Sequence, residues 1–150
     1  MPPALDLTRE AALQRLLIDG ITGGLIRSAH DCANGGLAVT LAECCFDSGS
    51  GVEADVPAVA AQVAAFVDIT TLFGESASRA VVSVSPERLE MLMSLAAAGG
   101  VPARRIGTVG GDRIKIAIAG RTVVDELLTD ATDRWSNAID SRFERARALA

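Results

Sequence analysis

Hydrophobic residues recur at three- and four-residue intervals near the start of the chain, a spacing that predicts amphipathic helices. The first predicted helix covers about residues 6–20, and either Asp6 or Thr8 can cap its N-terminus. A short strand is predicted over residues 25–29, and a second helix over residues 37–46. We therefore expect a helix–strand–helix unit at the start of the chain.

Runs of β-branched residues in the middle of the chain alternate with helical patterns. We predict strands over residues 52–56 and 79–84, and an Ala-rich helix over residues 58–65 between them. A further helix is predicted to begin at Ser85, because Pro and Glu follow it in the first turn. It should end at residues 99–100, which are both glycine.

Two more strands are predicted over residues 105–109 and 113–119, and the Gly-Gly-Asp sequence between them is typical of a hairpin turn. Isoleucine alternates with other residues in the second strand, so one sheet face should be buried and the other partly wet. From about Thr122 onward we predict a helical tail. Three large apolar residues of this tail, spaced four apart, are expected to dock on the core: Trp135, Ile139 and Phe143.

This order of elements predicts an α+β fold, a mixed or antiparallel sheet packed with helices. A chain of 150 residues fits one domain, residues 1–150, and its 3% of aromatic residues imply an aliphatic core. The net charge of −5 and the scarcity of aromatic rings argue against nucleic-acid binding. No apolar run is long enough to span a membrane.

The three cysteines, Cys32, Cys44 and Cys45, have neither the even number of a disulfide framework nor the Cys-x-x-Cys spacing of a zinc site. We interpret them as free, mostly buried thiols. Free thiols are typical of the reducing cytosol, so a cytoplasmic protein is expected.

The stretch SAHDCANGGL, residues 28–37, combines a strand end, a turn with two glycines and a helix start. Glycine lets the backbone approach a ligand closely, and the amides of a helix N-terminus favour an anion. Asn34, Gly35 and Gly36 are therefore candidates for binding a phosphate or nucleotide. Asp31 could hold a water or a hydrated Mg²⁺ beside it. The alternative is a tight connection with a capped helix start.

His30 is the only histidine of the chain. A lone histidine suggests a general base or a metal ligand, but the sequence offers no second histidine for a metal cluster or a triad. We interpret it as a half-buried side chain that is hydrogen-bonded to the backbone, and we predict no metal ligands in this chain.

The stretch LFGESASR, residues 72–79, places polar side chains on a turn before a strand. Gly74, Glu75 and Ser76 are candidates for contacts with a substrate, because loops held by rigid strands often carry sites. Alternatively, the serine hydroxyls satisfy backbone groups of the turn and Arg79 pairs with Glu75.

Three stretches in this order resemble the C-terminal domain of the AIR-synthase-related superfamily. They are SAHD (residues 28–31) followed by GGLAV and LAE, then LFGESASR running into VVSV, and finally IGTV (residues 106–109). Within the superfamily the set is most similar to the phosphoribosylformylglycinamidine synthase family, chiefly through the phrase FGESASR. Each motif alone is weak, whereas the ordered set spans nearly the whole chain.

The resemblance implies the last C-type domain of a larger synthetase, a ligase of purine biosynthesis. Enzymes of that family use ATP and Mg²⁺ to activate the amide oxygen of formylglycinamide ribonucleotide, and glutamine-derived ammonia then displaces phosphate to give the amidine. The family's catalytic histidine and main ATP and Mg²⁺ ligands lie upstream, so this chain alone should hold no catalytic residue and be inactive. The implied partners are upstream synthetase domains, a glutaminase subunit and a small accessory subunit.

The chain departs from the family pattern at both candidate turns. The glycine-rich turn usually reads Ser-Asp-Gly-Gly, and Ala33-Asn34 here removes a charge that could hold a cation. The substrate turn of the synthetase's first half reads Glu-Ser-Gln, and Ala77 stands here in place of the glutamine. Two alternatives therefore stay open. One is a non-catalytic structural or interaction domain, and the other is the C-terminal domain of a sibling enzyme such as AIR synthase, selenophosphate synthetase or thiamine-phosphate kinase.

Overall fold

The computed structural model describes residues 5–61 and 63–148, where helices and strands alternate along the chain. The helices are α1 (Leu7–Thr22), α2 (Gly36–Ser48), α3 (Val67–Phe73), α4 (Leu89–Ala98), α5 (Leu128–Ser136) and α6 (Ala138–Ala148). The strands are β1 (Ile26–Asp31), β2 (Val52–Val56), β3 (Ala80–Val84), β4 (Gly107–Val109), β5 (Arg113–Ile118) and β6 (Arg121–Leu127). Short 3₁₀ turns lead into α3 and α4: Ala64–Phe66 and Pro86–Arg88. In these ranges no helix combines the length and apolarity needed to cross a bilayer.

The strands form two separate sheets. β1 and β3 pair antiparallel as a two-stranded ribbon, here called the β1–β3 ribbon. The other four strands lie in the order β4-β2-β5-β6, with β2 parallel to β5 and the other pairs antiparallel. The larger sheet is therefore mixed, and the predicted α+β class is confirmed.

Helix α1 packs against the β1–β3 ribbon and against α4. The Asp6 carboxylate accepts the amides of Thr8 and Arg9 at 2.9 and 3.2 Å, which confirms Asp6 as the N-cap of α1. Further along α1, a Cβ at Gly20 would touch the side chains of Ile26 and Leu92. Helix α1 therefore lies close against both the ribbon and α4.

The main core lies between the four-stranded sheet and helices α2, α3 and α5. Its centre is Ile116 of β5, which is 1% exposed. The apolar side chains around it come from both layers: Ala38, Leu41, Cys45, Val52, Ala54, Val56, Leu72, Ile114, Ile118 and Leu128. On the other sheet face, Lys115 forms an exposed ion pair with Glu53 at 2.8 Å. The predicted alternation of buried and wet positions in β5 is therefore confirmed.

The predicted hairpin of the strands around residues 107–118 is wrong. β4 does not pair with β5, because β2 lies between them and bonds to both. The Gly-Gly-Asp segment lies beside the start of β2. The Gly51 amide donates to the Gly111 carbonyl oxygen at 2.9 Å, and the Gly110 amide donates to the Gly51 carbonyl oxygen at 2.8 Å. Gly107 is required by this arrangement, since a Cβ there would collide with the Glu53 backbone of β2. The real hairpin joins β5 to β6.

The predicted helical tail is wrong over residues 122–127, which belong to β6. Thr, Val and Val at residues 122–124 favour a strand, and pairing with β5 decides the outcome. The helices of the tail begin only at Leu128.

The predicted docking of the tail on the core is confirmed only in part. The Trp135 ring lies 5.8 Å, centroid to centroid, from that of Phe46, which packs against the core. Trp135 is nevertheless 55% exposed, and Ile139 and Phe143 are 71% and 67% exposed. The prediction is therefore wrong for Ile139 and Phe143, which stay exposed in the described part of the chain.

The predicted helix over residues 58–65 is wrong where the chain is described. Residues 57–61 have no regular structure, and the 3₁₀ turn begins only at Ala64. Gln62, within the same prediction, lies outside the described residues.

Candidate functional site

The glycine-rich turn connects the end of β1 to the start of α2. Its tip, Ala33 and Asn34, is exposed, whereas Gly36 is buried. Gly36 has a φ of +72°, and a Cβ there would lie only 2.7 Å from the carbonyl carbon of Phe73. Because only glycine fits, the start of α2 can rest directly on the end of α3.

The turn over residues 74–79 meets the glycine-rich turn at this point. The Gly35 amide donates to Oε1 of Glu75 at 2.9 Å. Gly35 is the N-cap residue of α2 and has no side chain to cap the helix, so the Glu75 carboxylate supplies negative charge at the helix start. Two candidate residues 40 positions apart are thus in direct contact.

A second link joins the opposite ends of the two turns. The Cys32 amide donates to the Arg79 carbonyl oxygen at 3.2 Å. The Arg79 guanidinium donates through Nη2 to the Gly74 carbonyl at 2.7 Å, and its buried Nε has no partner among the described residues. The alternative in which Arg79 pairs with Glu75 is therefore wrong. Arg79 closes its own turn, while Glu75 reaches across to Gly35.

Ser78 joins the same turn to α1. Its hydroxyl donates to Oε2 of Glu10 at 2.7 Å. This hydrogen bond, followed in importance by one from Gln14, lowers the pKa of Glu10 because it stabilises the ionised carboxylate. The Ser78 hydroxyl thus binds a side chain of a neighbouring helix, not the backbone of its own turn.

His30 and Asp31 lie at the end of β1. The Nδ1 atom of His30 is 2.8 Å from the Asp31 carbonyl oxygen, and its Nε2 is 3.5 Å from Oε2 of Glu43. The His30 side chain is 32% exposed. The interpretation of a half-buried histidine bonded to the backbone is therefore confirmed.

Thr40 is a site residue that the sequence reasoning missed. It is fully buried, and its hydroxyl lies 3.0 Å from the carbonyl oxygens of both Asp31 and Gly36. It therefore ties the strand end to the first turn of α2, on either side of the glycine-rich turn. The available signal was a single threonine on the apolar face of the predicted helix.

The described residues do not fit a magnesium centre. Mg²⁺ prefers several converging oxygen ligands. No group of three or more His, Cys, Asp or Glu side chains converges in the described part of the chain. The Glu75 carboxylate, which contacts the glycine-rich turn, already accepts an amide hydrogen from Gly35.

The three cysteines are free, as predicted. Burial raises the pKa of Cys45 to about 11. Burial, and then the charge of Asp47, also raises the pKa of Cys44. Because the thiolate is the reactive form, a raised pKa disfavours nucleophilic chemistry at Cys44 and Cys45.

One concavity lies away from both turns, on the exposed face of the four-stranded sheet. It is an open depression of about 520 Å³ lined by polar residues that include Glu53, Asp55, Arg105 and Lys115. Lys115 is paired with Glu53, and Arg105 donates to Thr108. Since Lys115 and Arg105 already have hydrogen-bond partners within the chain, we assign this depression no ligand.

The paired turns leave Asn34 and Ser76 exposed at their rim. An amide and a hydroxyl can donate and accept hydrogen bonds, so this rim can bind polar groups of a ligand. The geometry therefore supports binding and positioning of such groups at Asn34 and Ser76.

The chain is an α+β domain in which two turns are linked to each other at both ends. The chain belongs to the family of AIR synthase related proteins, whose C-terminal domain model matches residues 3–119.

Two relatives of the chain show which members of this family it is similar to. It is similar to the phosphoribosylformylglycinamidine synthase subunit PurL of Thermobifida fusca, with 52% identity over 143 residues, and to that of Moorella thermoacetica, with 40% identity over 141 residues. These matches cover 95% and 92% of this chain but only 17% and 18% of the relatives. The chain therefore spans less than a fifth of the length of these two proteins.

Solved structures confirm the fold. A Thermotoga maritima PurL complexed with ATP matches with a TM-score of 0.74 and 18% identity, over 87% of this chain and 23% of that chain. The same protein complexed with FGAR matches with a TM-score of 0.71 and 17% identity, over 82% and 21%. At these identities the likeness establishes the architecture alone.

Proposed function

We propose that this chain is the C-terminal domain of an ATP-dependent phosphoribosylformylglycinamidine synthase, a ligase of purine biosynthesis. The observation that carries the proposal is the 52% identity to the Thermobifida fusca synthase subunit over 95% of the chain. In this proposal the whole enzyme converts formylglycinamide ribonucleotide, ATP and ammonia to the amidine, ADP and phosphate. The isolated chain is inactive, because the catalytic residues and any Mg²⁺ ligands belong to the rest of the enzyme.

The glycine-rich turn is proposed to face a phosphate or nucleotide through Asp31, Asn34, Gly35 and Gly36. Exposure of Asn34 and Asp31 supports this role for their side chains. The two glycines contribute chiefly by shaping the turn, since the Gly35 amide is bonded to Glu75 and Gly36 is buried. A phosphate could reach the Gly35 amide only by displacing that carboxylate.

The turn at residues 74–76 is proposed to line the same cleft. Gly74 and Glu75 hold the turn through the contacts described above, and Ser76 is the exposed side chain that faces outward. Support comes from T. maritima PurL, which was solved with FGAR and with ATP and shares this fold.

The proposed partners are the upstream synthetase domains, a glutaminase subunit and a small accessory subunit, all in the cytoplasm. The solved structure of PurLQS from T. maritima, which has the same fold over 86% of this chain, supports an assembly of subunits. Exposed apolar side chains also support docking onto the rest of a synthetase. They lie on α1, on α3 and its approach, and on the tail: Leu7, Ile18, Ile21, Val63, Phe66, Ile69, Trp135, Ile139 and Phe143.

Complementation tests this proposal. The chain is added to a PurL protein that lacks its last domain, and ATP-dependent formation of the amidine is measured. Recovery of activity is expected, with no activity from either part alone. Failure to restore several related truncated enzymes would contradict the proposal. Recovery of a sibling reaction, such as that of AIR synthase, would instead identify the sibling enzyme.

A structural or interaction domain is the second candidate, favoured by the engagement of the Gly35 amide within the chain. The double variant Asn34→Ala, Ser76→Ala separates the two in the complementation assay, because both side chains are exposed and their removal should leave the fold intact. A raised KM for ATP or the ribonucleotide supports a binding role. Unchanged KM and kcat support the structural role.

A further inference from the structure

The start of α2 has no cap from its own sequence. Its N-cap residue is Gly35, which makes no side-chain cap, and its first turn contains no acidic residue. Most helix starts need a side-chain acceptor for their unpaired amides. Among the described residues, the Gly35 amide has one acceptor, the carboxylate of Glu75, 40 positions later in the chain.

The surroundings hold Glu75 in reach of this amide. Gly36 rests on the Phe73 backbone, so the start of α2 lies beside the residues that immediately precede Glu75. Arg79 closes the other side of the turn by donating to the Gly74 carbonyl. Glu75 itself is exposed, so the hydrogen bond to Gly35 forms without burial of the carboxylate.

From this geometry we propose that Glu75 is a positioning residue: it caps α2 from a distant turn and thereby fixes the glycine-rich turn to the turn over residues 74–79. Asn34 and Ser76, the exposed side chains of the two turns, are then held at a constant separation. The inference concerns a bond within this chain, so it stands whether or not the proposed enzymatic function is correct.

Hydrogen exchange of the Gly35 amide, followed by NMR on the full 150-residue chain, tests the inference. A hydrogen bond to a charged group contributes about 1.5 kcal/mol or more, which corresponds to roughly a tenfold change. We therefore expect the Gly35 amide to exchange about ten times faster in Glu75→Ala than in the native chain. Glu75→Gln keeps an acceptor oxygen and should retain part of the protection.

Ser76→Ala is the matched control, because Ser76 is the exposed neighbour in the same turn. It should leave the exchange of Gly35 unchanged. Equal exchange in the native chain and in Glu75→Ala would overturn the inference. If Glu75→Ala does not fold, the Gly35 amide proton shift in Glu75→Gln decides. An upfield shift supports the cap, since a neutral acceptor binds more weakly, and an unchanged shift overturns it.

Discussion

The four-stranded sheet and the β1–β3 ribbon bury their side chains to different degrees. The isoleucines of β5 are at most 4% exposed, whereas every residue of β3 is only partly buried and most of β1 is exposed. Yet the candidate turns adjoin the two ribbon strands, one after β1 and the other before β3. The well-packed sheet therefore stabilises the fold, and the less buried ribbon carries the turns that are available for binding.

The largest expected effect is in the core of the four-stranded sheet. Ile116→Ala should destabilise the chain by about 2–5 kcal/mol, because a fully packed side chain leaves a cavity when it is shortened. Val82→Ala in β3 is the comparison and should have a smaller effect, since Val82 is only partly buried. Urea unfolding measures both. Equal losses would show that the ribbon is as important to stability as the larger sheet.

The next effect is at the junction of the two regions. Gly36 and Gly49 both have left-handed φ values, +72° and +65°, but only Gly36 faces backbone atoms at close range. Gly49→Ala should cost about 1–2 kcal/mol for its φ alone. Gly36→Ala should cost about 1–3 kcal/mol more because of overpacking. Similar free energies of unfolding for the two variants would argue against the close approach of α2 to α3.

A smaller effect is expected at the edge of the four-stranded sheet. The Arg121 guanidinium donates to both carboxylate oxygens of Asp68, at 2.6 and 2.8 Å, on the surface. Asp68→Asn should cost about 0.2–1 kcal/mol at low salt, and less in 1 M salt, because exposed ion pairs are screened. Unfolding at the two salt concentrations measures this. If Asp68→Asn loses as much unfolding free energy in high salt as in low salt, Asp68 stabilises the fold by more than its ion pair.

The smallest expected effect is a change in how the stability of the fold depends on pH, through the bond between Glu10 and Ser78. Because the folded pKa of Glu10 is lowered by Ser78, its contribution to stability is present above the ordinary glutamate pKa and is lost as pH falls through the lowered value. Ser78→Ala should make the acid loss of stability shallower, whereas Ser76→Ala should not. The variants are compared by thermal unfolding from about pH 7 to about pH 3, a range that spans the usual pKa of glutamate. If stability falls with pH at the same slope in the native chain and in both variants, the Glu10–Ser78 bond does not contribute to the pH dependence of stability.

Local patterns were sufficient for elements whose formation depends on nearby residues. The cap at Asp6, the strand at Val52–Val56 and the end of α4 at its glycines all follow from short-range rules. The hairpin prediction failed because β2 enters between β4 and β5 from more than fifty residues away, which no local turn signal records. The prediction of a helix from Thr122 failed because β6 pairs with the edge of β5, and this pairing overrides the local helical pattern.

The candidate site shows the same division. Both turns could be predicted from glycine and polar residues at strand ends, and the structure brings them together. The bond from Gly35 to Glu75 and the rejection of an Arg79–Glu75 pair depend on the close contact of α2 with α3. Such contacts between distant segments follow from packing, and the spacing of residues along the chain does not encode them.

The placement of β2 between two later strands has a consequence for synthesis of the protein. Both neighbours of β2 are made after it, so until residue 107 emerges neither edge of this strand has its native partner. Unpaired strand edges are templates for association between chains. A polypeptide that stops before β4 should therefore associate with other chains more readily than the full chain does.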